Sequence, residues 1–261
     1  MMNGRLRSAS ILGVRVHAID MKTALDYINQ AIAAHLCTYI CCTPAHAIMS
    51  CYDQPDLRQV YNHSGLSTPD GMAVVWLLRL RGLNETKRVY GPDLIHAVCE
   101  FGLANGWRHF FWGGAPGVPQ QVADALSCRY PGLQVVGSES PPFRELTDEE
   151  NRLLHERIRL SGAHILWVAI GSPRQERWMA ENSPMLPGVT LIGVGAAFDF
   201  ISGAKRQAPR WVQRVGMEWF FRWLTEPARL FRRYMVGYPR FVFLVCLEAL
   251  GIIKFPVKPT T

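Results

Sequence analysis

Ile165-Leu166-Trp167-Val168-Ala169-Ile170-Gly171-Ser172-Pro173-Arg174-Gln175-Glu176-Arg177-Trp178 decides the fold class. An apolar run, read as a strand, enters a Gly-Ser-Pro turn, and a helical pattern follows over residues 174–181. The unit recurs on either side. Short β-rich runs stand at 38–42, 109–112, 133–136 and 189–194, with helical patterns at 22–34, 118–130 and 148–160. Strands alternating with helices of this length predict an α/β protein with a mostly parallel, Rossmann-like sheet and helices on both faces. In such folds ligands bind beyond the carboxyl ends of the strands, where loops meet helix N-termini.

After about residue 204 the pattern changes, so a core over 1–204 and an appendage over 205–261 are expected. Between Lys205 and Lys258 there are eleven Lys/Arg against three acids, whereas the rest of the chain is close to neutral. Trp211, Trp219, Phe220, Trp223, Phe231 and Tyr234 are among the aromatic residues interleaved with those cations. Arginine beside tryptophan suits a surface that is anionic at one depth and oily at the next, as a membrane interface is. Pro209 is read as opening a helix with Trp211, Val215, Trp219 and Trp223 on one stripe. Thr225 is read as the N-cap of a second helix, and Pro239 as the start of a third segment ending near Lys254. The apolar stretch 241–253 is about thirteen residues, short of the roughly 20 that cross a bilayer. A chain that touches the membrane without crossing it is expected.

Composition narrows the class. Hydrophobic residues make up 49% and charged residues 19%, which describes a globular chain with ample length for a core. The seven cysteines never fall in a C-x-x-C spacing, so reduced thiols in a cytosolic compartment are expected, not a disulfide framework or zinc site. The N-terminus lacks the features of a signal peptide. No D-x-D pair occurs, so no carboxylate site for a metal bridging a diphosphate is evident. No G-x-S-x-G elbow or H-E-x-x-H helix is present either.

Four loops follow strands or open helices. Residues 111–118 run from a strand through Gly113-Gly114 into a helix, a geometry that can cradle a phosphate and that equally suits a tight turn. In Ser67-Thr68-Pro69-Asp70-Gly71-Met72, the apolar helix 72–80 would fix the Asp70 carboxylate at a helix start, where it can act as a general base; Pro-Asp-Gly alone is an ordinary turn. Ser172 has capping-box spacing to Gln175, which leaves the bulky polar cluster around it unexplained. Around Gly193 and Gly195, small residues allow close ligand approach, and Asp199 can take ribose or base hydrogen bonds or be an exposed turn residue.

These loops resemble the WecG/TagA/CpsF family of bacterial glycosyltransferases. The resemblance runs through Thr43-Pro44, Thr68-Pro69-Asp70-Gly71, the Arg88–Leu94 segment, Gly113-Gly114, Ser172-Pro173-Arg174-Gln175-Glu176 and Phe198-Asp199. It continues in the tail with Arg210-Trp211, Glu226-Pro227, Arg229-Leu230 and Arg232-Arg233-Tyr234. It implies inverting transfer of a sugar, of N-acetylmannosamine or uronic acid type, from a UDP-sugar to a polyprenyl-diphosphate-linked sugar. That places the chain at the inner face of the cytoplasmic membrane, in bacterial surface polysaccharide synthesis, with no metal and no other cofactor. By the same resemblance Asp70 is the catalytic base, with Gln175 and Thr43 holding the sugar or diphosphate. Gly113, Gly114 and Asp199 hold the uridine; Arg88 and Asp93 bind substrate; Arg210, Arg229 and Arg232 meet the lipid diphosphate or leaving UDP. Many relatives carry Asn two residues after the threonine, where this chain has Ala45 followed by His46.

Other readings of the same residues are a membrane-peripheral nucleotide-binding protein without transferase activity, and a single-strand nucleic-acid binder. The near-neutral core and the apolar end segment argue against nucleic acid. A homo-oligomer is compatible with the sequence.

Overall fold

The structure is a computed structural model that describes residues 6–255. β1 (Ser8–Ile11) and β2 (Val14–His17) form an antiparallel hairpin. The remaining strands are β3 (Thr38–Thr43), β4 (Leu66–Pro69), β5 (Arg108–Gly113), β6 (Gln134–Glu139), β7 (Ile165–Ala169) and β8 (Thr190–Gly193). They make one parallel sheet in the order β4-β3-β8-β7-β5-β6. α1 (Met21–Ala33), α2 (Ala45–Asp53), α3 (Pro55–His63), α4 (Met72–Leu80) and α5 (Gly91–Leu103) precede or link the first strands. α6 (Val118–Arg129), α7 (Asp148–Ser161), α8 (Arg174–Asn182) and α9 (Ala197–Ile201) complete the alternation. The predicted α/β sheet is the observed one.

Alternation along the strands builds two cores. Cys41, Phe110, Trp112, Leu166, Val168 and Leu191 face one side, where they meet α2, α3, α7 and α8. Ile40, Phe111, Ile165, Trp167 and Ile192 face the other, against α1, α5 and α6. Side chains that point alternately up and down from a doubly covered sheet must be apolar on both sides, which is why these strands read as continuous apolar runs. Trp167 is fully buried in a central strand, and its indole N–H donates to His109 Nδ1 at 3.1 Å. Burial pushes the His109 pKa down to about 3, so the ring stays a neutral acceptor.

Two strand features escape the sequence reading. The β1–β2 turn uses Leu12 and Gly13, both at positive φ, without the Asn-Gly signature that marks such turns. β4 is only four residues long and carries Ser67 and Thr68, so no apolar run announces it. The predicted cap at Ser172 is not formed: Pro173 occupies the N-cap of α8, with no side-chain cap hydrogen bond. The reciprocal capping box lies instead at α7, between Thr147 and Glu150.

The C-terminal segment comprises α10 (Arg210–Arg214), α11 (Glu218–Thr225), α12 (Pro227–Phe231), a π-helical turn Arg232–Val236 and α13 (Gly237–Ala249). The single stripe expected from Trp211 to Trp223 is broken at Gly216, whose φ of +75° ends one helix before the next begins. Thr225 closes α11 and donates to the Arg222 carbonyl at 3.0 Å; Glu226 is the N-cap of α12, with Pro227 at its first position. Pro239 sits inside α13, which opens at Gly237. Lys258 lies outside the described residues. Phe241, Leu244 and Val245 of α13 join the core on the α2 side.

The three acids of this basic segment act as clips. Glu248 accepts from the Leu12 N–H at 2.9 Å and pairs with Arg81 at 2.6 Å. Glu218 pairs with Arg88 and accepts from Tyr90, while Glu226 faces Lys205 and Arg229. Two of the three thus tie the segment to the sheet domain, and Arg210 and Arg240 add ion pairs to Asp93 and Asp53; among the described residues, Arg206, Arg214, Arg222, Arg232, Arg233 and Lys254 form no ion pair.

Candidate active site

The carboxyl ends of β3, β4, β7 and β8 open into one cavity of about 790 Å³, roofed by the C-terminal segment. Asp70 follows the last residue of β4, and Gly71, at φ +109°, turns the chain into α4. A rigid apolar helix begins at Met72, so the carboxylate is fixed where a strand ends and a helix starts. The backbone N–H of Gly91, the first residue of α5, favours its ionised form.

Asp70 is held at an unusual pKa. Burial at the cavity wall is the dominant cause and pushes it up to about 7; the Glu218 carboxylate adds to the rise, and Arg88, Arg222 and the Gly91 N–H oppose it. A carboxyl group poised there is half ionised near neutrality, which suits a general base. Arg88 is held in place by the Glu218 ion pair and by stacking over the Tyr90 ring, 3.9 Å from its centroid.

Opposite the β-strand ends, the roof presents cations. Arg222 and Arg233 line the cavity, and among the described residues neither forms an ion pair. Arg222 lies over the Phe200 ring at 5.6 Å. His46 lines the same wall, and burial, followed by the charges of Arg233 and Arg222, keeps its pKa well below the usual imidazole value. Burial also lowers the Arg233 pKa, and the neighbouring Arg222 and Arg229 lower it further. Concentrated, partly desolvated positive charge of this kind is chemically suited to a polyanion.

A second polar group lies at the start of α8. Gln175 and Glu176 are 3% and 1% exposed, and Gln175 Nε2 donates to Glu176 Oε1 at 2.9 Å. Burial raises the Glu176 pKa. Among the described residues, Gln175 Oε1, Glu176 Oε2 and the hydroxyl of Tyr61 on α3 have no hydrogen-bond partner, although all three residues line the cavity. A buried polar atom without a partner costs about 1–3 kcal/mol, so such a group calls for a ligand.

The glycine-rich loop after β5 contributes Gly114 to the wall, near Asp199 at the start of α9. Gly113 stands one residue behind: a Cβ there would lie 2.5 Å from the Ala169 backbone, so only glycine lets β5 and β7 close at this level. Asp199 faces Lys205 at 2.9 Å.

The structure therefore gathers Asp70, Gln175, Gly114, Asp199, Arg88 and Arg229 around one cavity. It does not bring the other predicted residues there. Thr43 is fully buried, and its hydroxyl is committed to Ser67 Oγ at 2.7 Å and the Cys41 carbonyl at 3.1 Å. Arg210 pairs with Asp93 at 2.7 Å beside a separate shallow depression that both residues line. Arg232 is exposed and its neighbour Arg233 turns inward, because the π-helical turn sets their phase. Sequence reasoning missed Glu218, Arg222, Tyr61 and Tyr238 as cavity residues. The one local signal for Glu218 was its rarity, an acid among many cations.

Among the described residues, no group of three or more His, Cys, Asp or Glu side chains could hold a metal ion. No helix among them is long and apolar enough to cross a membrane. Over residues 9–254 the chain matches the family model described as glycosyl transferase WecG/TagA/CpsF family, a span that takes in the sheet, the cavity and the roof.

Proposed function

The chain belongs to the WecG/TagA/CpsF family of glycosyltransferases, and from that premise we propose that it moves a sugar, with inversion, from a UDP-sugar to a polyprenyl-diphosphate-linked sugar. The observation that carries this reading is the pairing of Asp70, poised near pKa 7, with the inward-facing arginines of the roof. Inversion asks for a base on one side of the anomeric carbon and stabilisation of the leaving diphosphate on the other. As a carboxylate, Asp70 takes the proton of the acceptor hydroxyl while that oxygen bonds to the anomeric carbon. UDP leaves with the electron pair of the broken bond, and Arg88, Arg222 and Arg233 meet its growing charge. These fixed cations would do the work without a metal. Gly114 and Asp199 are suited to the uridine end.

The acceptor's lipid suits the opposite rim. Trp76 and Leu80 of α4 and Val242 of α13 line the same cavity and are also exposed to solvent. In this reading the C-terminal segment lies against the inner face of the cytoplasmic membrane, and the cavity roof is completed by the element that docks there. The test is a transfer assay with UDP-sugars and a short-chain polyprenyl-diphosphate-N-acetylglucosamine acceptor. Product formation by the full chain, lost in Asp70→Asn, is the expected result; a full chain without product under every donor would refute the proposal.

A further inference from the structure

The reaction proposed above gives His46 no part, yet it is the one histidine that lines the cavity among the described residues. It stands second in α2, and its partly buried ring makes no hydrogen bond among the described residues. Arg222 of α11 and Arg233 of the π-helical turn line the same cavity. Among the described residues neither forms an ion pair, and theirs are the charges that act on His46.

The other ionisable groups on the elements around α2 do not offset those two charges. Asp53, at the far end of α2, pairs with Arg240 of α13 at 2.6 Å, and Asp56 of α3 pairs with Arg177. Also on α3, Arg58 lies over the Phe255 ring and His63 bonds the Gln59 carbonyl. Glu218 of α11 pairs with Arg88, Glu248 of α13 pairs with Arg81, and Glu176 of α8 accepts from Gln175. Burial keeps the hydroxyls of Tyr61, Tyr234 and Tyr238 and the thiols of Cys42 and Cys51 protonated. The charged groups that act on Asp70 are Arg88, Glu218 and Arg222, and His46 is not among them.

The imidazole is therefore neutral for a physical reason. Protonation would set a third, poorly hydrated cation beside two unpaired guanidinium groups. A diphosphate reverses that balance. It brings at least as much negative charge as the two arginines bring positive, and its oxygens accept from an imidazolium N–H.

We infer that His46 is a third member of the diphosphate site at Arg222 and Arg233, and that its imidazole takes a proton from solvent as a diphosphate binds and returns it as the diphosphate leaves. The inference rests on the diphosphate chemistry of the reading above, which assigns only the arginines. A site built this way holds three cations when occupied and two when free, so its charge follows its ligand.

Histidine-selective 13C labelling of the full chain, followed by NMR from about pH 8 down to about pH 5.5, tests the inference. The signal missing from His46→Gln identifies the residue, and the titration itself is read on the unaltered chain. Without ligand that signal should stay at its neutral position over the range. With saturating UDP or farnesyl diphosphate it should titrate with a midpoint inside the range, and uridine, which has no phosphate, should leave it flat. A response to UDP assigns the donor's diphosphate to the site, and a response to farnesyl diphosphate alone assigns the acceptor's; either supports the inference. By linkage, the affinity of the unaltered chain for the responding ligand, relative to His46→Gln, should grow roughly 3- to 10-fold between those pH limits. Ionisation of the ligand itself cancels in that ratio. A His46 signal that stays flat with both ligands bound, or has the same midpoint with and without them, overturns the inference and leaves the transferase reading in place. Failure of both ligands to bind the unaltered chain would instead remove the diphosphate reading, and this inference with it.

Discussion

Glu218 of α11 and Arg88 form an ion pair across 130 positions of sequence, at the mouth of the cavity that holds Asp70. Both side chains are largely buried, with 13% and 15% exposure, so the pair is shielded from salt more than a surface bridge. It also sets the field at Asp70, because Glu218 raises the pKa and Arg88 lowers it. A general base works as the carboxylate, so the rate of the unaltered enzyme should climb with pH through about 7. Glu218→Gln should move that ascending limb to lower pH, and Arg88→Gln should move it higher while weakening UDP. The pH dependence of kcat/KM between pH 5 and 9 checks both directions; limbs that coincide in all three proteins would detach Asp70 from the rate.

Asp70→Asn carries a paired prediction. Turnover should fall by about 10²–10⁴-fold, the usual contribution of a general base, with UDP affinity retained. Stability should move the other way. The folded-state pKa, about 7, lies above the ordinary value of 3.8, so the folded protein holds a proton that the unfolded chain has lost. That group's contribution to stability therefore declines as pH rises from about 4 through about 7. Replacing it should raise Tm by roughly 2–5 °C at pH 8 and by less at pH 5. Calorimetric melts of the two proteins at both pH values measure the difference.

Adjacent arginines should behave differently. Arg233 faces the cavity with Arg222, and Arg232 points to solvent. A charge-assisted hydrogen bond contributes about 1.5–3 kcal/mol, so Arg233→Ala should weaken UDP by roughly 10- to 100-fold. Arg232→Ala should leave UDP affinity within about twofold, since an exposed charge in water contributes little. Titrations at low and high salt make the contrast sharper, because only the first variant should flatten the salt dependence.

The sheet and half of the cavity are legible in the sequence for one reason: they are local. β7 is an apolar run bounded by a Gly-Ser-Pro turn, and Asp70 and Gln175 stand within a turn of a strand's end. The roof is not local. Its helical phase is reset at Gly216 and again at Pro227, so spacing alone misplaces Trp219 and cannot tell Arg232 from Arg233. Their directions follow from packing: Phe241, Leu244 and Val245 seat α13 against the α2 side of the core and thereby orient the segment before it. The Glu218–Arg88 contact likewise appears in no sequence window, since its partners meet only after the sheet has formed.

The turn at Gly216 offers a structural test of the roof. Its φ is +75°, and a Cβ there would lie 2.6 Å from the ring of Trp76, so alanine meets both backbone strain and a clash. Gly216→Ala should destabilise the protein by about 1–3 kcal/mol. Because α11 carries Glu218, its displacement should also reduce transfer more than an equal loss of stability elsewhere would. Activity measured well below Tm, beside a Leu154→Ala control on the buried face of the distant helix α7, separates the two effects.

Membrane docking can be tested without dismantling the fold. Deleting residues 205–261 would strip Phe241, Leu244 and Val245 from the core, so lost activity in such a truncation would carry no information about lipid. Point changes on the exposed rim are cleaner. Leu80 on α4 and Phe243 on α13 are 83% and 61% exposed, and both helices border the cavity mouth. Burying a phenylalanine in an apolar phase contributes about 1.5–3 kcal/mol, so Phe243→Asp should lower partition onto anionic vesicles by tenfold or more. Exposed Arg206, Arg214 and Arg232 add attraction that salt should screen. Flotation with phosphatidylglycerol vesicles at low and high salt, beside UDP titration of the same variant, reads both effects. Lost flotation with retained UDP binding is the expected outcome; unchanged flotation of Phe243→Asp and Leu80→Asp would move the docking face elsewhere.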